Sequence, residues 1–132
     1  MKRILTIEDN STNYFLVEEI LSEFKVELVW AKNGKEFYEK VKRPAKYDLI
    51  LMDLMLPDTD GIELTKFLIN EKYKTPVVFI SAYTEKCEEI YDLGIEYFIN
   101  KPIVYELFIS IVNKYINLEK KWSPFYDSLL DT

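Results

Sequence analysis

Five short apolar runs, each bounded by polar residues, recur along the chain. They cover residues 4–7, 28–31, 49–52, 77–80 and 97–99. Longer segments lie between them, and in these segments apolar residues return at helical spacing. Strands that are apolar on both faces and alternate with helices are typical of a parallel sheet covered by helices on both sides. The pattern therefore predicts an α/β fold built from five β/α units.

Polar residues suited to N-capping follow four of the runs, and a glycine suited to a left-handed C-terminal stop ends the fourth helix. The predicted caps are Asn10 or Ser11, Asn33, Asp60 and Thr84, and the glycine is Gly94. The side chains predicted to point inward are Phe15, Ile20, Leu21 and Phe24 in the first helix and Phe37 and Val41 in the second, and the apolar residues of the third are Ile62, Phe67 and Leu68. The fifth helix is predicted to begin near residue 103 and to continue toward residue 122.

The fifth helix carries more apolar residues than one buried face needs, because they form two stripes about 120° apart. The first stripe is Tyr105, Phe108, Ile109, Val112 and Ile116, and the second is Val104, Leu107, Ile111, Tyr115, Leu118 and Trp122. The first stripe suffices to cover the sheet. The second is covered either by the tail folding back or by a dimer or partner surface around helix 4, strand 5 and helix 5, and the sequence supports both equally.

The chain is predicted to form one domain over residues 1–118, followed by a tail over residues 119–132. Ser123 and Pro124 form a signal for a helix cap and first turn, and apolar residues beyond them share one helical face. These apolar residues are Phe125, Tyr126, Leu129 and Leu130. We therefore expect the tail to be a short amphipathic helical extension.

Composition argues against several classes of protein. With 48% hydrophobic and 30% charged residues, the chain is typical of a soluble globular protein. No apolar run approaches the ~18 residues of a membrane span, and the N-terminus lacks the apolar stretch of a signal peptide, so we expect a cytoplasmic protein without a membrane partner. The net charge of −6 argues against a direct nucleic-acid partner. The chain contains no histidine, so a partner must deliver any phosphoryl group that comes from histidine.

Chemically active side chains fall where the apolar runs stop. Glu8 and Asp9 follow the first run, Asp53 the third, Ser81 the fourth and Lys101 the fifth. In an open α/β sheet, ligands bind beyond the carboxyl ends of the strands, where the strand order reverses. With the order 2-1-3-4-5, that point lies between the first and third strands, so the three carboxylates are expected to converge.

Three carboxylates packed together repel one another, and each raises the pKa of the others. Mg²⁺ relieves this repulsion, since it prefers oxygen ligands and needs few of them from the protein. Lys101 would add a second positive charge. A metal, a lysine and a hydroxyl around a carboxylate that can attack suit phosphoryl transfer, which depends mostly on positioning and charge neutralisation.

Each of these residues alone has an ordinary interpretation. An acidic pair after a strand is usually a solvated loop or a helix cap, and a serine in that position usually makes a local hydrogen bond. The joint pattern favours a site, because each residue ends a different strand of one consistent sheet.

Four segments resemble the receiver domains of two-component signalling, the CheY-like response regulators. They are ILTIEDN (4–10), DLILMDLMLPDTDG (48–61), VVFISAYT (77–84) and LGIEYFINKP (93–102). Their order and mutual spacing make the match specific, and it covers about residues 2–118. The resemblance implies a flavodoxin-like, doubly wound (βα)5 fold with strand order 2-1-3-4-5.

The resemblance also implies roles for the residues at matching positions. Asp53 would be the phosphoacceptor, in a chain that catalyses only its own phosphorylation and dephosphorylation. Mg²⁺ would be bound directly by Asp9 and Asp53, by Glu8 through water, and by the backbone carbonyl of Met55. The phosphoryl donor would be a histidine kinase or a histidine phosphotransfer protein.

Further positions match those that hold the phosphoryl group and transmit its presence. Ser81 and Lys101 would contact phosphoryl oxygens, and the Lys101–Pro102 peptide bond is expected to be cis. Phe98 would move inward together with Ser81 as a switch, although a static core aromatic is the simpler alternative. Tyr97, its neighbour in the strand, should point the opposite way. The switched surface, or a homodimer interface, would involve helix 4, strand 5 and helix 5.

Two bulky residues sit two positions beyond Asp53 and Ser81. In the resembling family, such positions flank the path of the attacking water. Met55 and Tyr83 are therefore expected to slow hydrolysis of the phosphorylated state.

Three other functions fit these residues less well. A phospho-independent interaction module of the same fold would not need the complete set of pocket residues. An aspartate-nucleophile phosphatase needs a second aspartate two residues after the nucleophile, where this chain has Met55. A flavin-binding protein needs a phosphate loop after the first strand, where this chain has the acids of EDNSTNY.

Overall fold

The computed structural model describes residues 1–82 and 87–121, and it contains a five-stranded parallel sheet in the order β2-β1-β3-β4-β5. The strands are β1 (Lys2–Ile7), β2 (Val26–Ala31), β3 (Leu49–Met52), β4 (Val77–Ser81) and β5 (Phe98–Asn100). The predicted fold class and strand order are confirmed. The molecule is a doubly wound, flavodoxin-like α/β fold, whose order reverses between β1 and β3.

In the described part of the chain, five helices connect and follow the strands. They are α1 (Ser11–Leu21), α2 (Gly34–Lys40), α3 (Gly61–Asn70), α4 (Cys87–Asp92) and α5 (Tyr105–Tyr115). The side chains of Asn10, Asn33 and Asp60 each accept a backbone hydrogen bond at a helix N-terminus, as the sequence predicts. Gly94 follows α4 in the left-handed conformation, with φ of 86°. The predicted cap Thr84 lies outside the described residues.

Two hydrophobic cores lie on opposite faces of the sheet. The first core is built around Phe37, Phe79 and Ile90, and the second around Phe108 and Val112. Side chains of β3 alternate between them, as a strand buried on both faces requires. This double burial explains why β3 is a continuous apolar run.

The inward face of α1 differs from the prediction at one position. Phe15 was expected to point inward, but 55% of its surface is exposed, whereas Tyr14 and Val17 are buried. Tyr14 stacks on Trp30 of β2, with ring centroids 3.9 Å apart, and Phe15 lies edge-on outside this pair. A contact with β2 therefore decides which aromatic residue is buried.

The fifth helix is shorter than predicted. It ends at Tyr115, and the prediction that it continues toward residue 122 is wrong. The side chain of Asn113 accepts a hydrogen bond from the N–H of Leu118 at 2.9 Å. Beyond this turn, Lys120 forms an antiparallel bridge with Phe24.

The two predicted stripes of α5 are also not separate surfaces. Ile111, assigned to the second stripe, is buried in the second core beside Phe108 and Val112. Val104 and Leu107 remain about half exposed. The buried face of α5 is thus one broad face, and the exposed apolar residues lie near its N-terminus. Trp122 and the predicted amphipathic tail lie outside the described residues, and the proposed division at residue 118 stays a prediction.

The loop between β3 and α3 is anchored on the N-terminus of α2. The carboxylate of Asp58 accepts hydrogen bonds from the N–H groups of Gly34, at 2.8 Å, and Lys35, at 3.1 Å. These bonds, led by the one from Gly34, lower the pKa of Asp58 below its ordinary value of 3.8. This anchor holds the loop that begins at Asp53.

None of the helices in the described part of the chain has the length and apolar character that crossing a bilayer requires.

We expect Asp58→Asn to lower the free energy of unfolding by about 0.5–1 kcal/mol at neutral pH, because the neutral amide cannot accept both bonds as strongly. A carboxyl whose pKa is depressed in the folded state stabilises the fold above its unfolded pKa. The difference from wild type should therefore shrink as the pH falls below about 4 and through the lower pKa of the folded state. Urea unfolding between pH 3 and pH 7 measures it.

Asp60→Asn is the matched control, since it exchanges one good N-cap for another. It should change stability little at any pH. A loss for Asp58→Asn that does not vary with pH would contradict the role of the charged carboxylate.

Candidate functional site

Two carboxylates continue adjacent strands at the carboxyl edge of the sheet. Glu8 follows β1, and its N–H donates to the carbonyl of Ala31 at 3.0 Å. Asp53 follows β3, and its N–H donates to the carbonyl of Ile7 at 3.0 Å. Carboxylate oxygens of Glu8, Asp9 and Asp53 lie within 4.8 Å of one another. The strand order therefore brings the three predicted acids together at the point where it reverses.

Lys101 joins the two buried carboxylates from the far side of the site. Its ammonium lies 2.7 Å from Oε1 of Glu8 and 3.1 Å from Oδ2 of Asp53. All three side chains are at most 15% exposed. The backbone N–H of Lys101 donates to the carbonyl of Ser81 at 3.1 Å, and the Lys101–Pro102 peptide bond is cis, as expected.

Glu8 is held tightly and is costly to ionise. Its second carboxylate oxygen accepts a hydrogen bond from the N–H of Asn10 at 3.2 Å, and its carbonyl accepts one from the indole of Trp30 at 2.8 Å. Burial raises the pKa of Glu8 to about 7; the hydrogen bond from Lys101 opposes this rise, and neighbouring Asp53 adds to it. The single ammonium of Lys101 therefore does not fully compensate the negative charge.

The pKa of Lys101 responds to the same charges in the opposite sense. Burial acts to lower it, but the hydrogen bond that Lys101 donates to Glu8 and the charges of both carboxylates raise it above its ordinary value of 10.5. Lys101 is therefore a permanent cation in the site at neutral pH.

The donor set fits a hard divalent cation. Glu8 and Asp53 are buried, whereas Asp9 is exposed at the mouth, so the cluster offers oxygen ligands on the side that faces solvent. Mg²⁺ prefers carboxylate oxygen and keeps several waters, which an open mouth allows. Excess negative charge that one lysine leaves uncompensated favours such an ion electrostatically.

A cavity of about 280 Å³ opens above these residues. It is lined by Glu8, Asp9, Asn10, Asn13, Asp53, Met55, Ser81, Ala82 and Lys101. Ser81 is fully buried at its floor, and the side chain of Met55 is 44% exposed. The predicted acids, Met55, Ser81 and Lys101 thus surround one cavity, whereas Phe98 does not line it and Tyr83 lies outside the described residues.

Phe98 and Tyr97 point to opposite faces of the sheet, as predicted. Phe98 packs partly buried against the first core, beside the strand β4 that carries Ser81. Tyr97 packs against the second core, edge-on to Tyr115. Phe98 is not fully buried, so its ring lies at the border between core and surface.

Gly61 allows α3 to begin directly against the end of β3. A Cβ atom at this position would lie 2.4 Å from the backbone oxygen of Asp53 and 2.7 Å from the ring of Phe79. The N–H of Gly61 also donates to the carbonyl of Leu54 at 2.8 Å. Only glycine permits this approach, which fixes the backbone around Asp53.

Sequence reasoning did not identify three residues that shape the site. Gly61 acts through its closeness to the backbone of Asp53, and Trp30 acts through contacts with Glu8 and Tyr14 on other elements. The spacing of apolar residues reveals neither role. Asn13 lines the cavity from the first turn of α1. Its position three residues after the cap Asn10, on the turn nearest the acids, could have indicated this.

Known proteins resemble the chain in sequence and structure. The family model for the response regulator receiver domain matches residues 4–113. The polar-differentiation response regulator DivK of Brucella anthropi is 34% identical over 119 residues, which are 87% of this chain and 96% of that protein. The crystal structure of the response regulator protein TrrA from Thermotoga maritima, in complex with Mg²⁺ and BeF, has a TM-score of 0.79 and 25% identity, covering 88% of this chain and 100% of that one.

A larger protein also contains a similar segment. The autoinducer 2 sensor kinase/phosphatase LuxQ of Vibrio parahaemolyticus is 36% identical over 121 residues, which are 86% of this chain. The chain spans only 14% of the length of that relative.

The matched family model spans most of the chain, and the fold and the acidic site agree with it. The chain belongs to the response regulator receiver domain family, whose function is to accept a phosphoryl group in two-component signalling.

Proposed function

We propose that Asp53 is the residue that accepts the phosphoryl group. The observation that carries this proposal is the contact of one ammonium, that of Lys101, with both Asp53 and Glu8 beside exposed Asp9. Of the three acids, Asp53 is the one at the end of the central strand β3, next to the cavity and to the cation. Its carboxylate is therefore both reachable and electrostatically supported.

Mg²⁺ is the proposed cofactor. Asp9 and Asp53 would bind it directly, Glu8 through water, and Met55 through its backbone carbonyl. The complex of the related protein TrrA with Mg²⁺ and BeF supports this assignment, and so does the uncompensated charge of the acids. When bound, the ion neutralises oxygen charge on the phosphoryl group being transferred.

In the proposed reaction, a carboxylate oxygen of Asp53 attacks phosphorus, and the bond from phosphorus to the donor's imidazole nitrogen breaks. The electron pair of that bond stays on the nitrogen, which takes up a proton. Lys101 would stabilise the developing charge on the phosphoryl oxygens, and the Ser81 hydroxyl would donate to one of them. Hydrolysis reverses the modification when water attacks the same phosphorus. We propose that the chain's catalysis is confined to these two steps.

Ser81 and Phe98 are proposed to transmit the change. They lie on neighbouring strands, and Lys101 is bonded through its backbone to Ser81. A shift of Ser81 toward the phosphoryl group would open space for Phe98 to move inward from the border of the first core. The signal would then reach the surface of α4, β5 and α5.

The proposed output surface carries exposed apolar residues. Tyr91, Val104, Tyr105 and Leu107 are each 42–54% exposed. Such residues suit a homodimer or partner interface. We propose a histidine kinase or histidine phosphotransfer protein as the donor, no direct nucleic-acid contact by this domain, and a cytoplasmic location.

Incubation with acetyl phosphate and Mg²⁺ should add the mass of one phosphoryl group, measured on the intact protein. Asp53→Asn should abolish the addition, because an amide is not a competent acceptor, and EDTA should abolish it by removing the metal. Asp60→Asn, the same change in the same loop, should leave it intact. Phosphorylation of Asp53→Asn to the wild-type extent would reject Asp53 as the acceptor.

Lys101→Met should lower the free energy of unfolding in EDTA by about 3 kcal/mol at pH 8, because it leaves two buried carboxylates without a cation. Added Mg²⁺ should raise the stability of the variant more than that of wild type, since it then supplies the missing positive charge. Chemical denaturation with and without Mg²⁺ measures both effects.

Lys66→Met is the matched control. It breaks the ion pair between Lys66 and Glu63, and both side chains of this pair are about half exposed. It should cost less than about 1 kcal/mol and show no altered response to Mg²⁺. Equal losses for the two lysine variants would contradict the central role of Lys101.

Replacing both Met55 and Tyr83 by alanine should speed dephosphorylation about tenfold, which corresponds to a barrier lower by about 1.4 kcal/mol. The Met55 backbone carbonyl is retained, so metal binding should persist. Loss of the phosphorylated mass over time gives the rate. Ile69→Ala, which removes an exposed side chain that does not line the cavity, should leave the rate unchanged. An unchanged rate in the double variant would remove this role.

A further inference from the structure

Basic residues are concentrated in two loops at the amino-terminal edge of the sheet. One loop leads into β3 and the other into β4, so both lie at the opposite end of the strands from Asp53. Six of the chain's 17 Lys and Arg residues fall on these loops or immediately before them. They are Lys40, Lys42, Arg43, Lys46, Lys72 and Lys74. The local charge is therefore opposite in sign to the net charge of −6.

Hydrogen bonds fasten the two loops to each other. The guanidinium of Arg43 donates to the carbonyl of Glu71 at 2.7 Å. The Thr75 hydroxyl donates to the carbonyl of Tyr47 at 3.0 Å, and the Tyr73 hydroxyl donates to a carbonyl at the end of α2. The loops are thus pre-organised, which lowers the entropic cost of binding between them.

A cleft of about 480 Å³ lies between the fastened loops. Arg43 packs over the ring of Tyr73, with 4.7 Å from the guanidinium carbon to the ring centroid. Arg3 packs over the ring of Tyr47 at 4.9 Å in the same way. The volume falls within the range of small-molecule sites, and the aromatic contacts fix the walls.

Among the residues that the structure describes, the cations that line the cleft have no carboxylate partner. Within residues 1–82 and 87–121, Arg43, Lys46, Lys72 and Lys74 form no ion pair, whereas Arg3, Lys25, Lys66 and Lys101 do. Asp48, which follows Tyr47 of the cleft in sequence, forms no ion pair with these cations. Its carboxylate accepts a hydrogen bond from the backbone N–H of Arg3. Four like charges around one cleft repel one another, so an anion bound there is favoured by all of them.

Lys72 occupies a backbone position that glycine would adopt without strain. Its φ is 60°, and it follows α3 where the N–H of Tyr73 donates to the carbonyl of Leu68 and its own N–H to that of Ile69. This is the Schellman arrangement, in which the left-handed residue is usually glycine. The chain thus places a cation at the cleft at the expense of stability.

We propose that this basic cleft binds a small ligand carrying several linked phosphate groups. Several separated cations match a chain of phosphates better than one phosphate. The limited volume disfavours a protein segment, and the acidic remainder of the chain repels a long polyanion. The proposal goes beyond phosphorylation at Asp53 and does not depend on it.

Titration of the whole chain with inorganic tripolyphosphate, in EDTA at low salt, tests the proposal by calorimetry. Without a metal, the acidic cavity at Asp53 repels this probe. We expect saturable binding that weakens with added salt. Lys72→Gln combined with Lys74→Gln should weaken it about tenfold. Lys35→Gln combined with Lys66→Gln changes the net charge equally but lies outside the cleft, and should leave the affinity within about twofold.

Lys72→Gly separates loss of the ligand site from loss of the fold. It should raise the thermal unfolding midpoint by relieving the left-handed strain, and at the same time weaken tripolyphosphate binding. Absence of binding, or equal weakening in the two double variants, would overturn the proposal. Tighter binding of a glutamate-rich peptide or of a single-stranded oligonucleotide than of tripolyphosphate would overturn it in favour of a protein or nucleic-acid partner.

Discussion

One ammonium shared by two buried carboxylates is the interaction on which the site depends. Glu8 and Asp53 end neighbouring parallel strands, so the sheet itself forces their side chains together. Lys101 reaches both of them, yet burial still holds the pKa of Glu8 at about 7. An acid whose pKa is raised on folding destabilises the fold above its unfolded pKa. The metal-free site is therefore under electrostatic strain at neutral pH, and added positive charge relieves it.

Only short stretches of chain separate the charged site from the surface. β5 is three residues long and leads directly to Lys101, whose backbone is bonded to Ser81 at the end of β4. Phe98, at the start of the same strand, lies at the border of the first core rather than deep within it. In the proposed switch, the effect of a change in charge at Asp53 would reach α5 by displacing only the ends of β4 and β5. The hydrogen bond between Lys101 and Ser81 joins these two ends.

The sequence predicted those features that depend on local patterns. The five strands, the caps Asn10, Asn33 and Asp60, and the gathering of acids at one edge all follow from spacing along the chain and the rules of parallel sheets. The errors came from contacts between distant segments. The stacking of Tyr14 on Trp30 left Phe15 outside, and pairing near Phe24 drew the chain away from the axis of α5.

Net charge was the least informative of the sequence features. A value of −6 describes the chain as a whole, but ions in solution screen charges beyond about 8 Å at physiological ionic strength. β3 is four residues long, so about 13 Å of strand separates the acidic cavity from the loops at its other end. The local charge at each end of β3, and not the net charge of the chain, therefore determines which ions are attracted there. Parallel strands sort the two charge clusters to opposite edges, because every loop before a strand lies at one edge and every residue after a strand lies at the other. A chain that is acidic overall can thus carry an acidic cavity at one end of β3 and a separate basic cleft at the other end.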